Sequence, residues 1–303
     1  MSEQDYIPGT SVISNLVGRS ETLPHGTPDQ RVLDQAETFY VSTRMAELLR
    51  EGHTAALRGA ALGPLGAANN PATKPFTFAH MREIHRHLFQ DVYAWAGEPR
   101  RVPMQKHSTS YAAPAEMNAL LRQQYASIAE QDQLRGIEDQ AVFASTLAGI
   151  WAEVNHAHAF REGNTRSQTV FFAELAHHAG WTLDVARLAP DHPVSVYKPF
   201  VDARFEHQRI RNPQSLSAQE AAQELAQVLG RVIAPDNSLE GRLRRAAPAA
   251  VPAAANRAAD QTTQHIVKQL HARHPELRDM TLDPRGLSEA STTIPEIDGG
   301  HQL

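Results

Sequence analysis

The chain reads His158-Ala159-Phe160-Arg161-Glu162-Gly163-Asn164-Thr165-Arg166 between two apolar stretches, and this segment decides the fold. On each side, large apolar residues recur every three or four positions, as on the buried face of a helix: Phe143, Leu147, Ile150, Trp151 and Val154 before it, Val170, Phe171, Leu175 and Ala179 after it. The pattern predicts two buried helices joined by a polar loop. The end of this loop would present backbone N–H groups at a helix N-terminus, which favours an anion.

The side chains of the loop suit phosphate chemistry. Histidine titrates near neutral pH, so His158 is the candidate base for an attacking hydroxyl. Glu162 offers a hard carboxylate oxygen to a Mg²⁺ ion that bridges phosphates. Asn164 can donate to a phosphoryl oxygen, and Arg166 can bind one with its planar guanidinium. Phe160 is expected to anchor the loop in the core, and because the segment has no covalent nucleophile, the attacking group should belong to the substrate.

The histidines also have simpler interpretations. A lone histidine is most often a core residue, but the polar neighbours of His158 favour a functional role. His156 and His158 are two positions apart and therefore do not share a helix face, which argues against a zinc pair. His177 and His178 are expected at a solvated edge.

Composition limits the classes of protein. The chain has 303 residues, 41% of them hydrophobic, and no 18-residue apolar run, so we expect one sizeable core and no membrane partner. The N-terminus shows no signal-peptide pattern. Zero cysteines excludes disulfides, thiolate catalysis and cysteine-bound zinc, and fits a cytoplasmic protein whose delivery elsewhere would not be visible in the sequence. A net charge of −5 argues against a nucleic-acid partner.

The loop resembles the signature of Fic-domain proteins, HxFx(D/E)GNGRxxR, which in that family joins two central helices and binds the phosphates of a nucleotide. Two further motifs agree: residues 6–12, YIPGTSV, resemble the family's YxPGTxV segment, and residues 93–98, YAWAGE, resemble the WAGE turn before its β-hairpin flap. The resemblance covers residues 6 to 205, approximately. It implies a mostly α fold, a Fic-like helical bundle with a small β-hairpin flap.

The resemblance also implies a function. Family members of this type transfer AMP from ATP, with Mg²⁺, to a Ser, Thr or Tyr hydroxyl of a target protein. It assigns His158 as the catalytic residue and Glu162 as the metal ligand, and the nucleotide-binding residues would be Phe160, Arg161, Gly163, Asn164, Thr165 and Arg166. The flap would pair with an extended segment of the target, as in β-augmentation; its residues are Arg101, Val102, Pro103, Met104, Gln105 and Lys106.

Two departures from the signature leave alternatives open. Thr165 stands in place of the glycine of GNGR, and Thr169 in place of the last arginine, which in the family helps to hold the terminal phosphate. A threonine at position 165 would be strained at positive φ but tolerated in a first helical turn. The alternatives are a Fic-fold enzyme of altered chemistry, performing phosphotransfer or another phosphodiester transfer, and a catalytically weak nucleotide- or protein-binding module.

The family's inhibitory helix reads (S/T)xxxE(G/N), and its glutamate pairs with the last signature arginine. Neither Glu51-Gly52 nor Glu240-Gly241 has Ser or Thr four positions before it, and Thr169 replaces the arginine. We therefore expect no such brake within this chain. A toxin–antitoxin arrangement, in which a separate antitoxin-like inhibitory protein supplies the helix, stays open.

We expect three regions: residues 1–210 form the Fic-like domain with an extended anchor at Tyr6–Gly18, residues 211–235 a C-terminal helical extension, and residues 236–303 an Ala/Pro-rich linker, a short helix and a polar tail. Helices are predicted at Asp29–Leu49, Thr77–Phe89, Pro114–Leu134, Asp184–Leu188, Val194–His207, Ser217–Val232 and Gln264–Arg273. A loop is predicted at Gly59–Pro75 and linker from Arg244.

Overall fold

The two helices predicted around the polar loop form the centre of the protein. The structure is a computed structural model that describes residues 6–57, 76–106, 109–210 and 222–246. In these ranges the helices are α1 (Gln30–Leu57), α2 (Phe78–Phe89), α3 (Pro114–Glu130), α4 (Gln140–Ala157), α5 (Asn164–His178), α6 (Tyr197–Ile210), α7 (Gln223–Leu229) and α8 (Leu239–Ala246). Short 3-10 helices lie at Asp132–Leu134 and Val185–Leu188. The expected mostly helical fold is confirmed.

Two small antiparallel sheets accompany the helices. Strand β1 (Gln105–Lys106) pairs with β2 (Thr109–Ser110), and β3 (Trp181–Leu183) pairs with β4 (Ile233–Pro235). The first pair is the hairpin expected as the flap. The second pair ties the end of α5 to the chain that follows α7.

Helices α4 and α5 are buried on nearly every side because other helices cover them. Helices α3, α6 and α7 pack on α4, while α1 and α2 pack on α5. Trp151 of α4 stacks on Phe172 of α5 with 4.6 Å between ring centroids, and Phe200 of α6 closes on the same tryptophan at 5.2 Å. All three rings are at most 1% exposed. A helix of this composition is stable only in such a core.

Helix starts follow the capping chemistry of the sequence. Thr77 accepts the backbone N–H of His80 at 3.4 Å at the start of α2, as predicted. Asp139 accepts the N–H of Val142 at 2.9 Å at the start of α4. Pro114 begins α3, where its missing N–H costs no helical hydrogen bond.

Several helix ends differ from the prediction. Helix α3 stops at Glu130 because Asp132, Gln133 and Leu134 all have positive φ (50°, 52° and 63°), which an α-helix does not accept. Helix α1 continues to Leu57, and α6 begins at Tyr197 and ends at Ile210. The stretch Asp184–Leu188 is a 3-10 helix capped by Asp184. Helix α7 ends at Leu229, three residues before the predicted end, since strand β4 follows closely, and the predicted start at Ser217 lies outside the described residues.

The region after β4 is folded further than expected. Helix α8 lies inside the stretch predicted as linker, because Arg244 donates to the carbonyl of His177 at 3.0 Å and Arg245 donates to that of Asp236 at 2.8 Å. These contacts cover the end of α5, so the expected solvated edge is wrong: His177 is 9% exposed, and burial lowers the pKa of His178 to about 4.

Other expectations stay untested. The predicted loop Gly59–Pro75 and the predicted short helix Gln264–Arg273 lie outside the described residues. The division of the chain into three regions stays a prediction. Among the helices that the structure describes, none is long and apolar enough to cross a membrane.

Candidate active site

The polar loop leaves α4 through a left-handed residue. His158 follows the last residue of α4 with φ 46°, and Gly163 precedes α5 with φ 79°. The unusual turn at His158 is held from outside: the buried Arg100 donates to the carbonyl of His158 at 2.6 Å and to that of Ala157 at 2.9 Å. A bulky residue in this conformation needs such support, because left-handed backbone is unfavourable for residues other than glycine.

The loop is closed by Asn164 and anchored by Phe160. The Asn164 side chain accepts the N–H of Phe160 at 2.9 Å and donates to the carbonyl of Phe160 at 2.6 Å, and it is 3% exposed. The Asn164 amide thus closes the loop by bonding both backbone polar groups of Phe160, and its expected bond to a phosphoryl oxygen stays a prediction. Phe160 is 1% exposed and stacks on His85 at 3.9 Å, so its predicted role as an apolar anchor is confirmed. Gly163 lies against the ring of Phe89, which leaves no room for a Cβ atom.

His85 of α2 connects the loop to the WAGE turn. Its Nδ1 accepts the N–H of Gly97 at 2.8 Å, which places the proton on Nε2 for donation to the carbonyl of Glu162 at 3.0 Å. Burial lowers the pKa of His85 to about 3, so the ring stays neutral and keeps both bonds. The sequence analysis did not single out this histidine, because its partners are 12 and 77 positions away.

A cavity of about 480 Å³ lies beside the loop. His158, Thr165 and Arg166 line it together, as predicted, and Thr169 lies on the same face of α5. Phe160, Arg161, Glu162, Gly163 and Asn164 are not among its lining residues. Six polar residues that the sequence analysis missed also line it: Ser42, Tyr111, Asn155, Tyr197, Arg204 and Gln208. The rest of the wall is largely apolar, with Met45, Val185, Leu188, Pro190, Val201 and Phe205.

His158 is oriented by two contacts. Its ring stacks on that of Tyr111, with 3.7 Å between centroids and 16° between planes. Its Nδ1 lies 3.3 Å from the carbonyl of Asn155, to which a protonated Nδ1 would donate. This tautomer makes Nε2 the basic nitrogen, as a general base requires.

Thr165 is tolerated because it lies in the first turn of α5, and its hydroxyl is used. Arg204 of α6 donates to Thr165 Oγ1 from both terminal nitrogens, each at 3.1 Å. The same guanidinium donates to Asn155 Oδ1, and it lies 5.0 Å from the centroid of Phe200. Arg204 is 7% exposed. No local sequence signal marks it, because it lies 39 positions from Thr165.

Arg166 is paired with carboxylates of the protein. It donates to Glu37 of α1 at 2.6 Å and lies 3.4 Å from Glu162, and its guanidinium is 4.8 Å from the ring centroid of Phe89. Tyr93 donates its hydroxyl to the other oxygen of Glu37. Arg161 lies over the ring of Trp95 at 5.6 Å. Of the two loop arginines, therefore, only Arg166 reaches the cavity.

Glu162 offers one carboxylate to a metal ion. Its side chain is 48% exposed, and Oε1 accepts the N–H of Gly163 at 2.9 Å. In residues 6–57, 76–106, 109–210 and 222–246 no group of three or more His, Cys, Asp or Glu side chains could hold a metal. A single carboxylate such as that of Glu162 fits a Mg²⁺ ion, which takes most of its ligands from substrate and water.

The flap is joined to the end of α4. The N–H of Tyr111 donates to the carbonyl of Met104 at 3.0 Å, and that of Ala112 to the carbonyl of His156 at 3.1 Å. Arg100 adds a bond to the carbonyl of Val102 at 2.7 Å. Residues Arg101, Pro103 and Gln105 are exposed, which leaves the hairpin accessible.

The fold and site define a class of protein: a helical bundle whose two central helices are joined by a polar loop beside a cavity, with a β-hairpin next to it. Comparison with known proteins gives the family. A sequence model of the Fic/DOC family matches residues 75–176. The probable protein adenylyltransferase y4lH of Sinorhizobium fredii is 33% identical over 196 residues, which cover 65% of this chain and 83% of that protein. The chain belongs to the Fic/DOC family.

A second relative and a solved structure are similar to the chain as well. Protein adenylyltransferase VbhT of Bartonella schoenbuchensis is 30% identical over 181 residues, which cover 60% of this chain but only 32% of VbhT. The crystal structure of the BepC protein of Bartonella tribocorum with bound AMPPNP has a TM-score of 0.58 at 19% identity, covering 78% of this chain and 98% of that one. This likeness concerns the fold. Since the relatives are named adenylyltransferases, the expected class of nucleotidyltransferases is confirmed at the level of the family.

Proposed function

We propose that the protein transfers AMP from ATP to a Ser, Thr or Tyr hydroxyl of a target protein. The observation that carries this proposal is the cavity in which His158 meets the guanidinium groups of Arg166 and Arg204 at the N-terminus of α5. A base and an anion-binding wall in one cavity are what phosphoryl-group transfer to a hydroxyl requires. The names of the family relatives support the same activity.

In this mechanism His158 Nε2 accepts the proton of the target hydroxyl. The hydroxyl oxygen then forms a bond to the α-phosphorus, and the bond from that phosphorus to the pyrophosphate leaving group breaks. Tyr111 and Arg100 hold the imidazole in place by stacking on the ring and bonding its backbone carbonyl. Arg166 and the first N–H groups of α5 offset negative charge on the phosphates.

The cavity also suits the remainder of a nucleotide. Its volume of about 480 Å³ lies in the range of small-molecule sites, roughly 300–1,000 Å³. Its wall has a polar part at His158 and Arg204 and an apolar part that includes Leu188 and Phe205. We infer that the phosphates contact the polar part and the adenine the apolar part.

Mg²⁺ would be held by Glu162 together with phosphate oxygens. When bound, the ion would neutralise charge on the phosphates. A chelator that removes Mg²⁺ should abolish transfer. Because Glu162 would be the metal's protein ligand, Glu162→Gln should raise the Mg²⁺ concentration that gives half the maximal rate. An unchanged Mg²⁺ requirement in this variant would remove Glu162 from the metal site.

The target would bind along the flap. Among the described residues the sheet β1–β2 has only two strands, and an extended segment that added a third strand would be held by main-chain bonds. Because the flap is bonded to the end of α4 near His158, this docking would bring a target hydroxyl toward the base. The cytoplasmic location and an antitoxin-like partner stay predictions of the sequence.

Intact-mass spectrometry of the protein and of lysate proteins after incubation with ATP and Mg²⁺ tests the function. A gain of one adenylate is expected with the wild type. Loss of a positioned base should slow transfer about 10²–10⁴-fold in His158→Ala, whereas the matched control His25→Ala, at an exposed position, should keep the wild-type rate.

The same experiment separates the alternatives. A gain of one phosphate would indicate phosphotransfer, the altered chemistry that Thr165 leaves open. No gain, together with no heat on titration of ATP and Mg²⁺, would indicate a binding module. Equal transfer by His158→Ala and wild type would refute the assigned role of His158.

A further inference from the structure

We propose that Arg204 is an anion-binding residue of this site: its guanidinium binds a phosphoryl oxygen of the substrate, and Thr165 and Asn155 position it. The inference deepens the proposed function and rests on a phosphate-bearing substrate. It assigns a role to a residue outside the signature loop, on helix α6.

Arg204 is a buried cation without a counter-ion in the described part of the chain. It is 7% exposed, and its hydrogen bonds there go to two neutral oxygens, Thr165 Oγ1 and Asn155 Oδ1. No carboxylate among the described residues forms an ion pair with it. Burial lowers the pKa of Arg204 to about 10, which leaves it charged at neutral pH. An unpaired buried charge is costly, and a bound anion would remove that cost.

The guanidinium has donors to spare. Of its five N–H groups, one on Nη1 and two on Nη2 are used for Thr165 and Asn155. Nε is buried and has no hydrogen-bond partner in the described residues. Since Arg204 lines the same cavity as His158, an anion placed there could accept from the second N–H of Nη1 and neutralise the charge of the guanidinium.

The hydroxyl of Thr165 accounts for the position of Arg204 at the cavity wall. Thr165 and Thr169 are four positions apart on one face of α5, and both line the cavity. Thr169 carries no charge, and its hydroxyl donates to the carbonyl of Thr165 at 2.9 Å. The cation comes from α6 instead, and the Thr165 hydroxyl holds it. A glycine at 165 could not provide this contact.

Calorimetric titration of three ligands tests the role: a non-hydrolysable ATP analogue, adenosine and inorganic pyrophosphate. Arg204→Gln should weaken binding of the ATP analogue and of pyrophosphate about 10- to 100-fold, the loss expected for a hydrogen bond between charged groups. Adenosine binding should not change. Arg209→Gln is the matched control, since Arg209 lies on the same helix, is exposed and pairs with Glu206; it should bind all three ligands like the wild type.

Two further variants separate positioning from charge. Thr165→Val keeps Arg204 but removes the hydroxyl that holds it, and should weaken the ATP analogue by about 3- to 10-fold. Arg204→Lys keeps the charge but has three donors and no planar fork in place of the five donors of arginine, so an intermediate loss is expected. If Arg204→Gln fails to fold, Arg204→Lys and Thr165→Val make the same comparison.

The outcomes are distinguishable. Unchanged binding of the ATP analogue by Arg204→Gln would refute the inference and leave the proposed function standing. Equal weakening of adenosine and the ATP analogue would show a structural role only, and would also refute it. A wild type that binds pyrophosphate through Arg204, but not the ATP analogue, would support the inference and refute ATP as the substrate. If the wild-type protein binds neither the ATP analogue nor pyrophosphate, both the role of Arg204 and the proposed function are wrong.

Discussion

Replacing Arg100 should destabilise the loop that carries the base. Arg100 is 1% exposed, and it donates to four backbone carbonyls, those of His158 (2.6 Å), Val102 (2.7 Å), Ala112 (2.5 Å) and Ala157 (2.9 Å). It therefore links the end of α4 to both sides of the flap. Arg100→Met keeps most of the apolar volume and removes all four donors.

The magnitude follows from those bonds. A buried acceptor that loses its donor costs about 1–3 kcal/mol, so four would cost roughly 4–12 kcal/mol if nothing relaxed. Two effects reduce this cost: water can reach some of the carbonyls, and the variant no longer buries a charge. We expect the free energy of unfolding to fall by about 3–5 kcal/mol. Arg100→Lys, which keeps the charge but reaches fewer carbonyls, should lose roughly half as much.

Urea denaturation followed by circular dichroism measures this loss, and Arg122→Met on the exposed face of α3 is the control, with an expected change within about 0.5 kcal/mol. Transfer activity of Arg100→Lys should fall more than its ATP affinity, because Arg100 supports His158 and does not line the cavity. An unfolding free energy of Arg100→Met within about 1 kcal/mol of wild type would refute this reasoning.

Three further predictions concern the loop and its support. His158→Gly should be about 1 kcal/mol more stable than the equally inactive His158→Ala in thermal unfolding, because φ is 46° there. Gly163→Ala should lose about 2–4 kcal/mol in urea, since its Cβ would overlap the Phe89 ring. Burial lowers the pKa of His85 from 6.5 to about 3, so below pH 6.5 the unfolded chain binds a proton that the fold excludes. The free energy of unfolding should therefore decrease as the pH is lowered below 6.5, by up to about 1.4 kcal/mol per pH unit. This part of the slope should vanish in His85→Gln in urea titrations at about pH 4 to 6.

The centre of the fold could be predicted because its signals are local. The apolar spacing around residues 158–166 gave both buried helices, and Thr77 and Pro114 marked helix starts by capping chemistry alone. The hairpin was expected only through the family resemblance, because the alternation of residues in two-residue strands is too short to be recognised.

The site was predicted less completely, for two physical reasons. Residue type does not determine the partner of a hydrogen bond. The type of Asn164 suits a phosphoryl oxygen, but its side-chain amide bonds the backbone N–H and carbonyl of Phe160. Contacts between distant segments leave no local pattern either, as with Glu37, which binds Arg166 across 129 positions, and Arg204. Such pairings follow from how helices pack, which the spacing of apolar residues alone does not determine.

The ion pairs around each arginine indicate which one contributes most to the binding of a phosphate. Arg166 already has the Glu37 carboxylate at 2.6 Å, so an anion must compete with that pair. Arg100 is bonded to carbonyls and lies outside the cavity lining. Arg204 has only neutral partners in the described residues and borders the cavity. Because the attraction between charges grows as solvent is excluded, the buried and uncompensated Arg204 should contribute more to phosphate affinity than the more exposed Arg166.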